Sequence, residues 1–182
     1  MTLARRLLAL HAALEAAGLP HAFGGAIALA YWTQEPRGTR DLDVNVFVAQ
    51  HEARRVLDAL PEGIAAPAAA ERALLAEGQV RLWWDGTPVD LFLDYAPIHA
   101  RAAANRRGVP FEGEQIPVLG PVELAVFKAM FDRTRDWADI EAMLAAGTLD
   151  AGRVRDHLVA LVGADDARVT RLADLDRRPA RG

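Results

Sequence analysis

Two short runs of this chain place aspartates where they could share one cation. In Asp41-Leu42-Asp43-Val44-Asn45 the acidic and polar side chains point to one side of a strand. Leu42, Val44, Val46 and Val48 point to the other, because successive side chains alternate across a strand. The run Val89-Asp90-Leu91-Phe92-Leu93-Asp94 repeats the pattern. If the two strands are neighbours, Asp90 joins Asp41 and Asp43 around a single point. Three ionised carboxylates that close repel one another and shift their pKa values unless a cation sits among them. Hard oxygen donors select Mg²⁺, which keeps several waters and bridges a few carboxylates to substrate phosphates. The chemistry expected here is that of a Mg²⁺–nucleotide site, with Mn²⁺ as the substitute ion. Asp94 reads as a strand-end or solvated carboxylate rather than a fourth ligand.

The residues upstream suit the other half of such a site. Gly24 and Gly25 let the backbone approach a phosphate, since no Cβ intervenes. An Ala-rich helix running to Trp32 would present its free N–H groups and positive dipole end to the same anion. Arg37 and Thr39 lie just before the acidic strand, where they either brace a loop or contact phosphate. Trp83 and Trp84 fall on opposite faces of a strand, so one is expected in the core and the other as a wall of an acceptor cleft.

The ordered set Gly24, Gly25, Arg37, Thr39, Asp41, Asp43 and Asp90 resembles the nucleotidyltransferases of the DNA polymerase β superfamily. Within it, the chain is similar to the small bacterial antibiotic nucleotidyltransferases and the AbiEii-type toxin enzymes. The match runs from about Pro20 to about Leu144, with no motif between Asp43 and Asp90. The resemblance implies transfer of a nucleoside monophosphate from an NTP to an acceptor hydroxyl. Asp41 and Asp43 would hold a metal bridged to the triphosphate. Asp90 would accept the attacking hydroxyl's proton and bind a second metal, since paired metals clamp the entering and leaving oxygens. The acceptor would be tRNA or protein, as in the toxin group, or a small molecule such as an aminoglycoside or lincosamide. An antitoxin or a second copy of the chain is the implied partner, and the cytoplasm the implied location. The competing reading is a non-catalytic nucleotide-binding or interaction module that keeps the fold. The presence of all three carboxylates counts against it.

Lys128 is the only lysine among 21 basic residues. It falls in a helix otherwise built from Val122, Leu124, Ala125, Val126, Phe127 and Phe131, so its ammonium must reach a polar site at its tip. The resembling enzymes carry a helix-borne lysine here that contacts the triphosphate. In the next helix Thr134 can cap a stripe of Trp137, Ile140, Met143 and Leu144. That puts Asp136 in the first turn, where the helix dipole favours it without any function. The family places an aspartate near this point that helps assemble the site. Asp136 is the candidate, with Arg133 and Asp139 as weaker ones.

The elements that must position these residues read as a mixed α/β fold, a small mixed sheet flanked by helices with a helical C-terminal portion. Residues 1–120 form the expected catalytic core, 121–176 the helical portion and 177–182 a disordered tail. Leu3, Leu7, Leu10 and Leu14 recur at helical spacing until Gly18 and Pro20 stop the helix. A strand at 21–23 leads into the Gly24-Gly25 turn. The Asp41–Val48 strand is followed by helices near 52–60 and 69–77. Strand 80–84 and the Asp90 strand flank Asp85-Gly86-Thr87-Pro88, the pattern of an antiparallel hairpin. A helix near 98–107, a single short strand near 111–116 and three further helices complete the expectation.

Composition bounds the rest. With 182 residues the chain can bury a good core. It has no cysteine, which excludes disulfides, thiol catalysis and Cys-based zinc sites. A net charge of −4 argues against broad nonspecific binding to nucleic acid, without excluding a local basic groove. No apolar run approaches a membrane span, and the start reads as an amphipathic helix rather than a signal peptide. His11, His21, His51, His99 and His157 show no metal-ligand spacing and read as structural or surface residues.

Overall fold

The helix expected from the leucine spacing forms as α1, Leu3–Ala16, in the computed structural model, which describes residues 1–35 and 38–177. Thr2 caps it by accepting the Arg5 N–H, and Leu7, Leu10 and Leu14 are fully buried along one stripe. Gly18 ends it with φ +63°, a left-handed conformation that a residue with a Cβ adopts only at a cost. After it come β1 (His21–Phe23), α2 (Gly25–Thr33) and β2 (Leu42–Ala49). Next are α3 (Ala53–Asp58), β3 (Ile64–Ala65), α4 (Ala68–Glu77), β4 (Gln79–Trp84) and β5 (Thr87–Asp94). The chain continues through α5 (Pro97–Asn105), β6 (Arg107–Phe111) and β7 (Glu114–Val118). Helices α6 (Pro121–Phe131), α7 (Thr134–Ala145), α8 (Ala151–Val162) and α9 (Ala167–Asp176) follow.

The fold is the mixed α/β one expected, a mixed seven-stranded sheet with helices. The strands run in the order β3-β4-β5-β2-β1-β7-β6. β2 pairs parallel with β5 and antiparallel with β1, and β4 and β5 form the anticipated antiparallel hairpin. Leu42, Val44, Val46, Val89, Leu91 and Leu93 all have no exposure, so the apolar rows of β2 and β5 are core. That burial fixes the register, because a slip of one residue would turn the whole row to the opposite face. It therefore also fixes where the aspartates point.

Three expectations need correction. The single strand at 111–116 is two strands, β6 and β7, joined by Glu112 and Gly113. Both have positive φ, +49° and +87°, as a two-residue hairpin turn of the primed type requires. The helix before them stops at Asn105, because the chain becomes extended at Arg106 and enters β6. Four helices, not three, follow Pro121 among the described residues, since Gly163, at φ +89°, separates α8 from α9.

The described residues divide into two compact units. One comprises residues 1–27 and 38–119 and contains the whole sheet; the other comprises 28–35 and 120–177. Among the described residues no helix is long and apolar enough to cross a membrane. Arg37 and residues 178–182 lie outside the described residues, so the expectations for Arg37 and for most of the tail fall there too.

Candidate active site

Asp43 on β2 and Asp90 on β5 are direct partners in the parallel register. Both side chains leave the sheet on the face opposite the Leu42–Val89 and Val44–Leu91 pairs. Asp41 immediately precedes β2 and is half-buried. The Thr39 hydroxyl donates to its carboxylate Oδ1, and the Asp41 N–H lies 3.4 Å from the same hydroxyl oxygen. Thr39 thus orients Asp41 through a local side-chain turn.

The glycine pair sits against this face. The Gly24 N–H donates to the Asp43 carbonyl at 2.9 Å, extending the β1–β2 pairing to the last residue before α2. Gly25 opens α2 with φ +51°. A Cβ there would lie 2.6 Å from Asp43 Cγ and overlap its Oδ2. The glycine is therefore needed for the aspartate as well as for any anion. Gly25→Ala is expected to displace the Asp43 carboxylate and to cost about 1–2 kcal/mol from its left-handed backbone. Gly24→Ala meets Leu119 Cδ1 at 3.1 Å, Asn45 Nδ2 at 3.4 Å and Asp43 Cβ at 3.7 Å, none of them an overlap. Thermal unfolding and NTP titration of the two variants check this; equal effects would remove the special role of Gly25.

A cation already stands beside the carboxylates. Arg81 on β4 is the register partner of Asp90, and its guanidinium grips that carboxylate in a bidentate pair of 2.7 and 2.6 Å. The hydrogen bonds and charge of Asp90 raise the pKa of Arg81, and the charges of Asp41 and Asp43 add to the shift. Arg81 was invisible to sequence reasoning, because its role depends on which residue lies opposite it in a neighbouring strand. Its own strand supplied the one signal, an alternation that puts Arg81 and Trp83 on one face. Trp83 is 52% exposed on the carboxylate side, whereas Trp84 is buried at 3%, so the two tryptophans divide between surface and core.

Asp41, Asp43 and Asp90 do not bring their carboxylate oxygens within 4.8 Å of one another. Among the described residues, the set of three whose possible ligand atoms lie within 4.8 Å of one another is His11, Glu15 and His21. His11 and Glu15 come from one turn of α1 and His21 from β1, a convergence hidden when the histidines are read by spacing alone.

The second unit buries its own charged cluster. Lys128 on α6 is 6% exposed, and its Nζ donates to Asp139 Oδ2 on α7 at 2.6 Å. Asp136 Oδ1 lies 3.9 Å from the same nitrogen. Asp136 also accepts from the Arg133 guanidinium at 2.6 and 3.2 Å and from the Arg133 N–H at 3.3 Å. The lysine does reach a polar site at its tip, as its apolar helix requires. Asp139, the weaker candidate in the sequence, makes the shortest contact.

Comparison with known proteins gives the class first. The chain superposes on the solution structure of the antibiotic-resistance factor ANT(2″)-Ia with a TM-score of 0.63 at 14% identity, covering 95% of this chain and 94% of that one. A crystal structure of ANT(2″)-Ia in complex with adenylyl-2″-tobramycin gives 0.63 at 12% identity, covering 88% and 97%. An antigenic nucleotidyltransferase-like protein from Paracoccidioides brasiliensis gives 0.51 at 18%, covering 92% and 89%. The fold is that of the nucleotidyltransferases. Residues 6–181 match the family described as nucleotidyl transferase AbiEii toxin, type IV TA system; the chain belongs to that family and is a nucleotidyltransferase. No curated protein matches it.

Proposed function

We propose that this enzyme uses Asp41, Asp43 and Asp90 with Mg²⁺ to move a nucleoside monophosphate from an NTP to an acceptor hydroxyl. The observation that carries this reading is the Asp43–Asp90 register pair on one sheet face, with the Gly24-Gly25 turn against Asp43. The donor set fits a hard divalent cation, since it offers carboxylate oxygens, and the Arg81 guanidinium already supplies positive charge to one of them. Such a cation, when bound, would neutralise charge on the α-phosphate and the departing pyrophosphate. The chain's own groups do the rest. The glycine turn and the start of α2 receive phosphate oxygens. The acceptor oxygen attacks the α-phosphorus as the bond to pyrophosphate breaks, and Asp90 takes the hydroxyl proton. For that, Asp90 must first exchange its Arg81 contact. Positioning and electrostatics supply most of the acceleration in such transfers.

Thr39 serves this scheme by holding Asp41, and Trp83 offers an aromatic wall beside Asp90 for the acceptor. Lys128 and Asp136 are nucleotide-binding candidates on the strength of the family resemblance of their helices. The family's description as a toxin supports tRNA or protein as the acceptor and an antitoxin as the partner. The ANT(2″)-Ia complex supports an aminoglycoside instead. The need for NTP supports the cytoplasm as the place of the reaction. Labelled NTPs incubated with the protein, Mg²⁺ and either tRNA or pooled aminoglycosides separate the acceptor classes.

The metal-dependent nucleotide site has its own test. Asp43→Asn is expected to weaken NTP binding by calorimetry, and the parent's affinity should depend on Mg²⁺ or Mn²⁺. Equal, metal-independent affinities for the two proteins would remove the site from these residues.

A further inference from the structure

His11 and Glu15 are four residues apart on α1 and so occupy one helix face. His21 opens β1 directly opposite them and is 1% exposed. Its Nδ1 lies 2.8 Å from the Leu19 carbonyl, which can only accept, so Nδ1 carries the proton and Nε2 the lone pair. That lone pair accepts from His11 Nδ1 at 2.9 Å, so His11 changes tautomer when the two nitrogens share a metal. A neutral imidazole with its second N–H fixed on a backbone carbonyl is the usual form of a metal-ligating histidine. Glu15 adds an exposed carboxylate, its Oε1 3.9 Å from the protonated Nδ1 of His21 and free to swing toward Nε2, and one ligand atom from each of the three residues lies within 4.8 Å of the others.

We infer that His11, Glu15 and His21 form a transition-metal site of the Zn²⁺ type, tying α1 to β1. Two imidazoles and one carboxylate suit Zn²⁺ rather than Mg²⁺, which prefers oxygen donors alone. Glu15 is exposed, so water can complete a fourth position. Arg106 also acts on His21 and disfavours a cation there; the Glu15 carboxylate opposes it. The site is independent of the catalytic aspartates. His21 pairs with Val46, whose side chain leaves β2 on the face opposite Asp43. A metal held by α1 and β1 binds the folded chain and not the unfolded one, so it stabilises the fold.

The test uses the full chain without a histidine tag, in excess Mg²⁺ to saturate the aspartates. Co²⁺ serves as the spectroscopic probe and Zn²⁺ as the calorimetric ligand. The expected result is a single bound Co²⁺ with the visible absorption of a low-coordinate nitrogen–oxygen site, displaced by Zn²⁺, and a rise in Tm with Zn²⁺. His11→Ala, at a half-buried position, and Glu15→Gln, on the helix surface, should each weaken Zn²⁺ binding by more than ~10-fold. Asp43→Asn should leave it unchanged. Absence of saturable Zn²⁺ binding, unchanged isotherms in both helix variants, or loss of binding in Asp43→Asn would overturn the assignment.

Discussion

Asp90→Asn is expected to lower kcat for nucleotide transfer by ~10²–10⁴-fold while leaving NTP affinity close to that of the parent. The substitution keeps shape and size but removes the proposed base for the acceptor proton, an interaction made only as the reaction proceeds. It also takes away the charge that Arg81 grips. Arg81→Ala separates the two consequences. It leaves the Asp90 carboxylate in place without its guanidinium, so Mg²⁺ should bind more tightly in the absence of NTP. If Asp90→Asn turns over at nearly the parent rate once the acceptor is known, Asp90 is a structural partner of Arg81. The proposed proton transfer then fails even if the nucleotide site stands.

Asp139→Ala should cost the fold about 3–5 kcal/mol, because it leaves the Lys128 ammonium buried without its nearest carboxylate. Both side chains are nearly inaccessible, 8% and 6% exposed, so solvent does little to screen the pair. Asp136, at 3.9 Å, compensates only in part, since it is also held by Arg133. Lys128→Met combined with Asp139→Leu should recover much of the loss, as replacing a buried pair by apolar groups often does. Urea unfolding of the two single variants and the double variant measures the coupling directly. A loss below about 1 kcal/mol for Asp139→Ala would mark the pair as screened. Lys128 would then have a charge to spare for a nucleotide. A large coupling means that Lys128→Ala must be compared with the parent by NTP affinity under conditions where both remain folded.

How much of this was legible in the sequence follows from the range of the interactions. Alternation along one strand is local, and it puts Asp43 and Asp90 each on the polar face of its own strand; that the two faces coincide depends on the β2–β5 pairing. The Gly-Gly turn was legible as a site for close approach, but not that Gly25 makes room for the Asp43 side chain. That depends on an antiparallel pairing between β1 and β2. Arg81 became visible only with the β4–β5 register, and the His11–Glu15–His21 set only with α1 folded back beside β1. The β6–β7 turn was missed for another reason. Glu112-Gly113 lacks the Asn or Asp that most often marks such a turn, and the apolar residues around it read as one continuous strand.

The margins of the sheet bear on what can silence this enzyme. At one edge β3 offers only Ile64 and Ala65 as a template. At the other, β6 exposes Arg107 and carries Pro110, which has no N–H to give. Short, charged or proline-bearing edges resist the addition of a further strand. Beside β3, only residues 79–82 of β4 lack a strand neighbour on that side among the described residues, so an inhibitor that works by extending the sheet would find a short stretch of backbone to zip onto. The same edges protect the free enzyme from stacking with its own copies while it is being made. A protein that neutralised the enzyme would rely chiefly on gripping side chains, and its selectivity would follow surface charge and shape more than backbone pairing.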